Sequence, residues 1–178
     1  KLLVLPICIV ILIPFILNLG CTGGSGNYRK PISASDATKK DAPNFTATTI
    51  DGEEITLSDY KGKKAVLVDL WGTWCGPCKM EMPELQKFYE AHSDDVEIIA
   101  AAQNDNLKSV QDYITKAKIT FKIILDTGGV VGSKYPSRSV PFLTIINKDG
   151  KIVKTITGYR PGLGEILEDL LDLESKET

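Results

Sequence analysis

Residues 65–78, AVLVDLWGTWCGPC, join a run of apolar residues directly to a pair of cysteines. The apolar run contains one charged residue, Asp69, and is typical of a central strand buried on both faces. A helical stretch follows from Pro77 to about His92, so that Cys75 and Cys78 lie where it begins. A Cys-x-x-Cys pair between a strand and a helix predicts a redox-active dithiol.

The position of the two thiols predicts different roles for them. Cys75 precedes the helix, where free backbone N–H groups and the helix dipole favour the thiolate. Cys78 lies one turn further along and is expected to be less exposed, so Cys75 is predicted to attack and Cys78 to resolve the mixed disulfide. A zinc site would need two more ligands, and a structural disulfide across so short a loop would stabilise little.

Outward from this stretch, apolar runs alternate with helical patterns as in an α/β domain. Asp51-Gly52 is a strong hairpin signal between the first two predicted strands. The predicted strands are 45–50, 54–57, 65–71, 96–102, 121–125, 142–146 and 152–156, and the predicted helices are 77–92, 107–118 and 163–173. This order predicts a mixed central sheet with helices on both faces and an N-terminal β-hairpin.

The first part of the chain has the pattern of an export signal. Leu2 to Leu19 carries no charge, follows Lys1 and ends in Gly20-Cys21. Gly before Cys resembles the lipobox of bacterial lipoproteins, in which the cysteine is lipidated, although Asn18 replaces the leucine expected there. We therefore expect a signal peptide over 1–20, a lipidated Cys21 with a flexible tether over 21–40, and one domain over 41–178. An uncleaved membrane anchor and simple secretion remain alternatives.

Composition narrows the range of functions. The chain has 178 residues, 43% of them hydrophobic and 25% charged, which is typical of a single globular domain. Lys plus Arg is 21 and Asp plus Glu is 23, for a formal net charge of −2. A nucleic-acid partner is therefore not expected, because phosphate binding requires a concentrated positive surface.

Several of these features together resemble the thioredoxin superfamily, and within it the membrane-tethered TlpA/ResA-like thiol-disulfide oxidoreductases. Residues 74–78, WCGPC, match the superfamily's active-site motif, and Pro83 matches the proline that kinks the active-site helix. Val140-Pro141 resembles the cis-proline loop, and Gly158 resembles the glycine that completes the substrate groove. The resemblance implies a thioredoxin-like fold and a substrate-binding set of Trp74, Gly76, Pro77, Val140, Pro141 and Gly158.

Two carboxylates join the cysteines as candidate catalytic residues. Asp69 occupies the position of the superfamily's buried aspartate, where burial should raise the pKa of a group that accepts the resolving thiol's proton. Glu81 follows Cys78 by one helical turn and should share its face of the helix. A partly exposed strand aspartate and a solvated helix glutamate are the alternatives. The lysine that thioredoxin pairs with its buried aspartate has no counterpart in strand 97–102.

The resemblance implies an exported, membrane-anchored reductant of disulfides in envelope proteins, apocytochrome c among them. A membrane thiol carrier would recharge it, and Gly76-Pro77 between the thiols resembles reducing thioredoxins. We expect no bound cofactor, no metal and a monomer. A peroxiredoxin-type peroxidase is one alternative, although Gly72 stands where that branch places a threonine. A lipoprotein binding module with a structural cysteine pair is the other.

Overall fold

A computed structural model describes residues 40–173 of the protein, which contain a five-stranded mixed sheet and a separate two-stranded hairpin. The sheet has the order β5-β4-β3-β6-β7, in which β3 is parallel to β4 and antiparallel to β6. The strands are β1 Thr46–Thr48, β2 Glu54–Thr56, β3 Ala65–Trp71, β4 Val96–Ala102, β5 Lys122–Leu125, β6 Phe142–Ile146 and β7 Ile152–Thr157.

The hairpin β1-β2 forms around the predicted turn, where Gly52 has a φ of +88° that favours glycine. Both strands are shorter than their apolar patterns predict. Phe45 and Leu57 lie outside the ladder but are buried against the main sheet. Leu57 begins a 3₁₀ helix, Leu57–Tyr60, so the apolar pattern at these ends reflects packing rather than strand pairing.

Three α-helices complete the fold, and the predicted fold class is confirmed. They are α1 Gly76–His92, α2 Leu107–Ala117 and α3 Leu163–Leu171. All three pack into the core on one face of the sheet. The other face is covered by the hairpin, the 3₁₀ helix and helical turns around Val131 and Tyr135, so helical structure lies on both faces but unevenly.

Helix α1 continues through Pro83, the residue matched to the proline that kinks the active-site helix. A proline within a helix leaves the carbonyl four residues earlier without its usual donor. Here that carbonyl belongs to Lys79, and the hydroxyl of Tyr113 on α2 donates to it at 3.4 Å. A neighbouring helix therefore supplies the donor that Pro83 lacks.

Alternation along β3 decides which side chains lie beneath α1. Leu67 and Trp71 belong to the core on the α-helical face, whereas Val66 and Val68 belong to the core on the opposite face. Asp69 has the same parity as Leu67 and Trp71 and therefore points towards the α-helices. The strand thus places one carboxyl group in an apolar core directly before the two cysteines.

No helix within residues 40–173 is long and apolar enough to cross a membrane. The apolar stretch Leu2–Leu19, the predicted lipidation site Cys21 and nearly all of the predicted tether lie outside the described residues. Their assignments remain predictions.

Candidate active site

The two cysteines form a disulfide at the start of α1, with their Cα atoms 5.3 Å apart. Cys75 is the N-cap residue of the helix, and its Sγ accepts a hydrogen bond from the backbone N–H of Cys78 at 3.1 Å. The same N–H can stabilise a Cys75 thiolate after reduction, together with the helix dipole. This geometry favours Cys75 as the more acidic thiol.

Access to the two sulfurs is unequal. Cys78 is completely buried and Cys75 is 5% exposed. Cys75 Sγ lies 3.6 Å from the carbonyl oxygen of Val140, so this sulfur faces the loop that precedes β6. The side chain of Trp74 beside it is 58% exposed. A substrate sulfur can therefore approach Cys75 between Trp74 and Val140, whereas Cys78 has no direct access.

The residues predicted to bind substrate surround this point of approach. The Val140-Pro141 peptide bond is cis, and the Pro141 carbonyl accepts a hydrogen bond from Gly158 N–H at 2.9 Å. Gly158 has a φ of +77°, which explains the glycine there. Gly76 and Pro77 are exposed at the start of α1. The fold therefore brings together residues from three separate parts of the chain.

Two further residues, which the sequence did not single out, hold the turn before Cys75. The carboxylate of Asp105 accepts hydrogen bonds from the backbone N–H and the hydroxyl of Thr73, at 2.6 and 3.0 Å. The indole N–H of Trp74 donates to the carbonyl of Gln103 at 3.0 Å. Gln103 and Asp105 follow the carboxyl end of β4, which lies beside the carboxyl end of β3. Functional sites in α/β sheets are usually found at the carboxyl ends of the strands, so this position could have identified the two residues from sequence.

The two candidate carboxylates are both buried. Asp69 is 1% exposed and Glu81 is 2% exposed, so the solvated alternative for Glu81 is wrong. None of the residues that the structure describes donates a hydrogen bond to either carboxylate oxygen of Asp69 or to Oε1 of Glu81. A carboxyl group in such surroundings is costly to ionise.

Burial and neighbouring charge raise the pKa of both groups. Burial is the larger cause for Asp69, whose pKa lies well above its usual range, and the charge of Glu81 raises it further. Burial, followed by the charge of Glu84, raises the pKa of Glu81 to about 7. Glu84 accepts hydrogen bonds from the Tyr159 hydroxyl and from Leu163 N–H, and these bonds hold the Glu84 carboxylate in position near Glu81.

The raised pKa of Glu81 predicts a loss of stability as pH rises from about 4.5 to about 7. Between pH 4.5 and about 7 the folded protein retains a proton on Glu81 that the unfolded chain has lost, so the free energy of unfolding falls as pH rises. A difference of this size corresponds to about 3 kcal/mol. We expect Glu81→Gln to reduce the decline in unfolding free energy between pH 5 and 8.5 by about this amount, measured by urea denaturation of the oxidised protein.

The exposed Glu54 on β2 offers a matched control, because Glu54→Gln makes the same chemical change without burial. This control should leave the pH dependence of stability unchanged. An equal decline in the Glu81→Gln variant and the parent protein would show that Glu81 ionises freely in the folded state.

The chain matches the Redoxin family over residues 37–171, a region that contains the sheet, the three α-helices and both cysteines. This chain belongs to the Redoxin family. Its similarity to individual members narrows the activity. The thiol-disulfide oxidoreductase ResA of Bacillus subtilis is 36% identical over 149 residues, covering 83% of this chain and 82% of that protein.

Two further comparisons agree with this result. ResA of Bacillus thuringiensis subsp. konkukian is 37% identical over 120 residues, covering 67% of this chain and 69% of its own length. The crystal structure of StoA from Bacillus subtilis superposes with a TM-score of 0.61 at 34% identity, covering 72% of this chain and 96% of that one. This Redoxin-family chain is a protein thiol-disulfide oxidoreductase with a thioredoxin-like fold.

Proposed function

We propose that this oxidoreductase works as a dithiol reductant of oxidised envelope proteins while tethered to a bacterial membrane. One observation carries thiol-disulfide exchange: Cys75 caps α1 at an accessible edge, and two carboxylates with raised pKa lie buried beneath the helix. The likeness of Gly76-Pro77 to reducing thioredoxins supports the reducing direction. An accessible thiolate and an internal base are the two groups that reduction of a disulfide requires.

The reaction begins with the Cys75 thiolate, which attacks one sulfur of the substrate disulfide. The substrate's S–S bond breaks, its other sulfur leaves as a thiolate, and Cys75 becomes joined to the substrate by a mixed disulfide. The Cys78 thiol then loses its proton to a buried carboxylate and attacks Cys75 Sγ. The mixed disulfide breaks, the substrate leaves with two electrons gained, and the Cys75–Cys78 disulfide remains.

The two carboxylates suit the proton transfer in the second step. A general base works best when its pKa lies near the working pH, and the pKa of Glu81 is raised to about 7. Asp69 projects from β3 towards the same helix. We assign Asp69 as the base that accepts the Cys78 proton, and Glu81 as the partner whose charge raises the pKa of Asp69.

Peroxidase activity is less well supported by the geometry. Gly72 occupies the position where a peroxidase would place its threonine, and the neighbouring Thr73 directs its hydroxyl to Asp105. The resolving cysteine is already bonded to Cys75 within the same helical turn. This arrangement suits reduction of a substrate disulfide.

The cellular setting is also part of the proposal. The apolar stretch Leu2–Leu19 and Cys21 support export and attachment by an N-terminal lipid. In that setting the protein would act as a monomer on envelope proteins such as apocytochrome c, with a membrane thiol carrier as electron donor. The two cysteines carry the electrons, so the proposed reaction requires no further cofactor.

One experiment tests both parts of the proposal. The full chain is expressed in a bacterial host with labelled fatty acid, and membrane extracts are assayed for insulin reduction by dithiothreitol. We expect the parent protein to be labelled and active. The Cys21→Ser variant should remain unprocessed and unlabelled yet active, because Cys21 lies outside the Redoxin match.

The outcomes separate the two parts. Normal processing of Cys21→Ser would contradict lipid attachment without affecting the reductase assignment. A labelled protein that does not accelerate insulin reduction would contradict the reductase assignment, and would favour a binding module with a structural cysteine pair.

A further inference from the structure

A surface groove of about 360 Å³ lies beside the point where substrate reaches Cys75. Trp74 and Val140 line it, and these are the two residues that flank the accessible sulfur. From there it runs between the end of β4, at Gln103, and the loop that joins β5 to β6. When a substrate disulfide contacts Cys75, the residues that flank the substrate cysteine must lie along this groove or extend away from Cys75 on the opposite side.

Beneath the groove, a buried carboxylate joins the β5–β6 loop to the end of β4 by hydrogen bonds. Asp126 is 6% exposed and accepts hydrogen bonds from the backbone N–H groups of Val131 and Gly132, at 3.2 and 2.8 Å, and from Gln103 Nε2 at 2.9 Å. These three donors offset the charge of Asp126, which does not itself line the groove. The loop is thus fixed to the end of β4.

The loop packs closely against the floor of the groove at Gly132. A Cβ atom at Gly132 would lie 2.8 Å from Gln103 Oε1 and 3.2 Å from Asp126 Oδ2, so a larger residue there would have to displace these side chains. The groove is therefore a preorganised feature of the fold.

The lining of the groove mixes polar and apolar side chains and carries a single charge. Ser133, Ser137 and Ser139 contribute hydroxyl groups, and Arg138 is the only charged residue in the lining. Within residues 40–173 the Arg138 guanidinium forms no ion pair and no hydrogen bond to another side chain. Its charge is therefore available to a ligand.

The position of Arg138 is set by the residues on either side of it. The Ser137 hydroxyl donates to the Ser139 carbonyl at 2.7 Å and accepts from Ser139 N–H at 3.3 Å, which closes a tight turn around Arg138. Arg138 lies two residues before Val140, whose carbonyl is 3.6 Å from Cys75 Sγ. Two extended residues span at most about 7 Å. Arg138 is thus within reach of a substrate residue two or three positions from the reacting cysteine.

We propose that this groove selects substrates in which an acidic side chain lies two or three residues from the cysteine that Cys75 attacks, with Arg138 as the specificity-determining residue. The inference rests on the proposed reductase function and adds a substrate class to it. The chain's formal net charge of −2 gives no general attraction for acidic polypeptides, so any such preference must arise locally. An exposed charge of this kind acts mainly on the rate of association and is weakened by salt.

Short peptides with one cysteine test the proposal. Each peptide carries Glu, Gln or Lys two residues from the cysteine, in separate series on the N-terminal and C-terminal sides, and is joined by a disulfide to mercaptoethanol, which is uncharged. The prereduced full-length protein is mixed with each peptide, and the reaction is followed by tryptophan fluorescence. The second-order rate constant is obtained from these time courses. In one of the two series we expect the Glu peptide to react about threefold faster than the Gln peptide at low salt, and the Lys peptide more slowly.

Substitutions then identify the residue responsible. Arg138→Gln should bring the Glu-to-Lys rate ratio close to one, and Arg138→Glu should invert it. Lys134→Glu makes the same change of charge in the same loop but outside the groove lining, so it should preserve the preference. Because each ratio compares two peptides on one variant, a general loss of folded protein does not affect it.

The possible failures can be told apart. Equal rates for all peptides with the parent protein, or a Glu preference that survives in Arg138→Glu, would overturn the groove assignment and leave the reductase function intact. Failure of the prereduced protein to react with any peptide would overturn the proposed function as well.

Discussion

Replacing Cys75 with serine abolishes insulin reduction, with an expected drop in turnover of about a thousandfold or more, because residues 40–173 contain no other accessible thiol. Cys75 is the sulfur that faces Val140 and the exposed Trp74, whereas Cys78 is completely buried. A serine hydroxyl at position 75 could accept the same hydrogen bond from Cys78 N–H, but it is not ionised at neutral pH and does not attack a disulfide.

The matched variant is Cys78→Ser, which leaves the nucleophile in place and removes the resolving thiol. Multiple turnover should again be lost, but this variant should accumulate a mixed disulfide between Cys75 and the substrate. Mass spectrometry of the reaction with insulin distinguishes the two variants, and the same trap identifies client proteins in an envelope extract. A stable mixed disulfide in Cys75→Ser, with none in Cys78→Ser, would reverse the two roles.

Asp69→Asn is expected to slow the resolving step by about a hundredfold at pH 7, since general base catalysis typically contributes at least this much. Asparagine has nearly the same shape as aspartate but cannot accept the Cys78 proton. The first step, attack by Cys75, should proceed at the parent rate, so the variant should accumulate the mixed disulfide. Rapid-quench measurement of the mixed disulfide separates the two steps.

The pH profile tests whether Asp69 acts by proton transfer. An ordinary thiol ionises near pH 8.5, so the difference between Asp69→Asn and the parent protein should narrow as pH rises towards 9. Asp94→Asn makes the same change at an exposed position just beyond the far end of α1, and should leave the rate unchanged. Resolution of Asp69→Asn at the parent rate from pH 6 to 9 would reduce Asp69 to a structural residue.

Local pattern was enough to predict most of the fold. The bounds of β3, β4 and β6 agree with the apolar runs, because a strand buried on both faces leaves a nearly continuous apolar segment. The ends of other elements differ because packing or backbone conformation decides them. Lys118, predicted as helical, instead caps α2 with a φ of +55°, and Phe45 packs against the sheet outside β1.

The cysteines could be located from sequence because their chemistry depends on local position: a helix N-terminus follows a strand, and both thiols lie within one helical turn. Asp69 could be placed for a similar reason, since alternation along one strand sets its face. The burial of Glu81 was harder to predict. Helical spacing sets its direction, but only the packing of α1 against the sheet and α3 excludes water from it.

The strand, the helix and the dithiol between them follow from the sequence alone, because each depends on residues close together in the chain. The surroundings of Cys75 and of the neighbouring groove come from tertiary packing. Val140 and Arg138 come from the loop before β6, and Gln103 and Asp126 from the ends of two parallel strands. Strand pairing brings these distant segments to one edge of the sheet, and no local periodicity encodes that proximity.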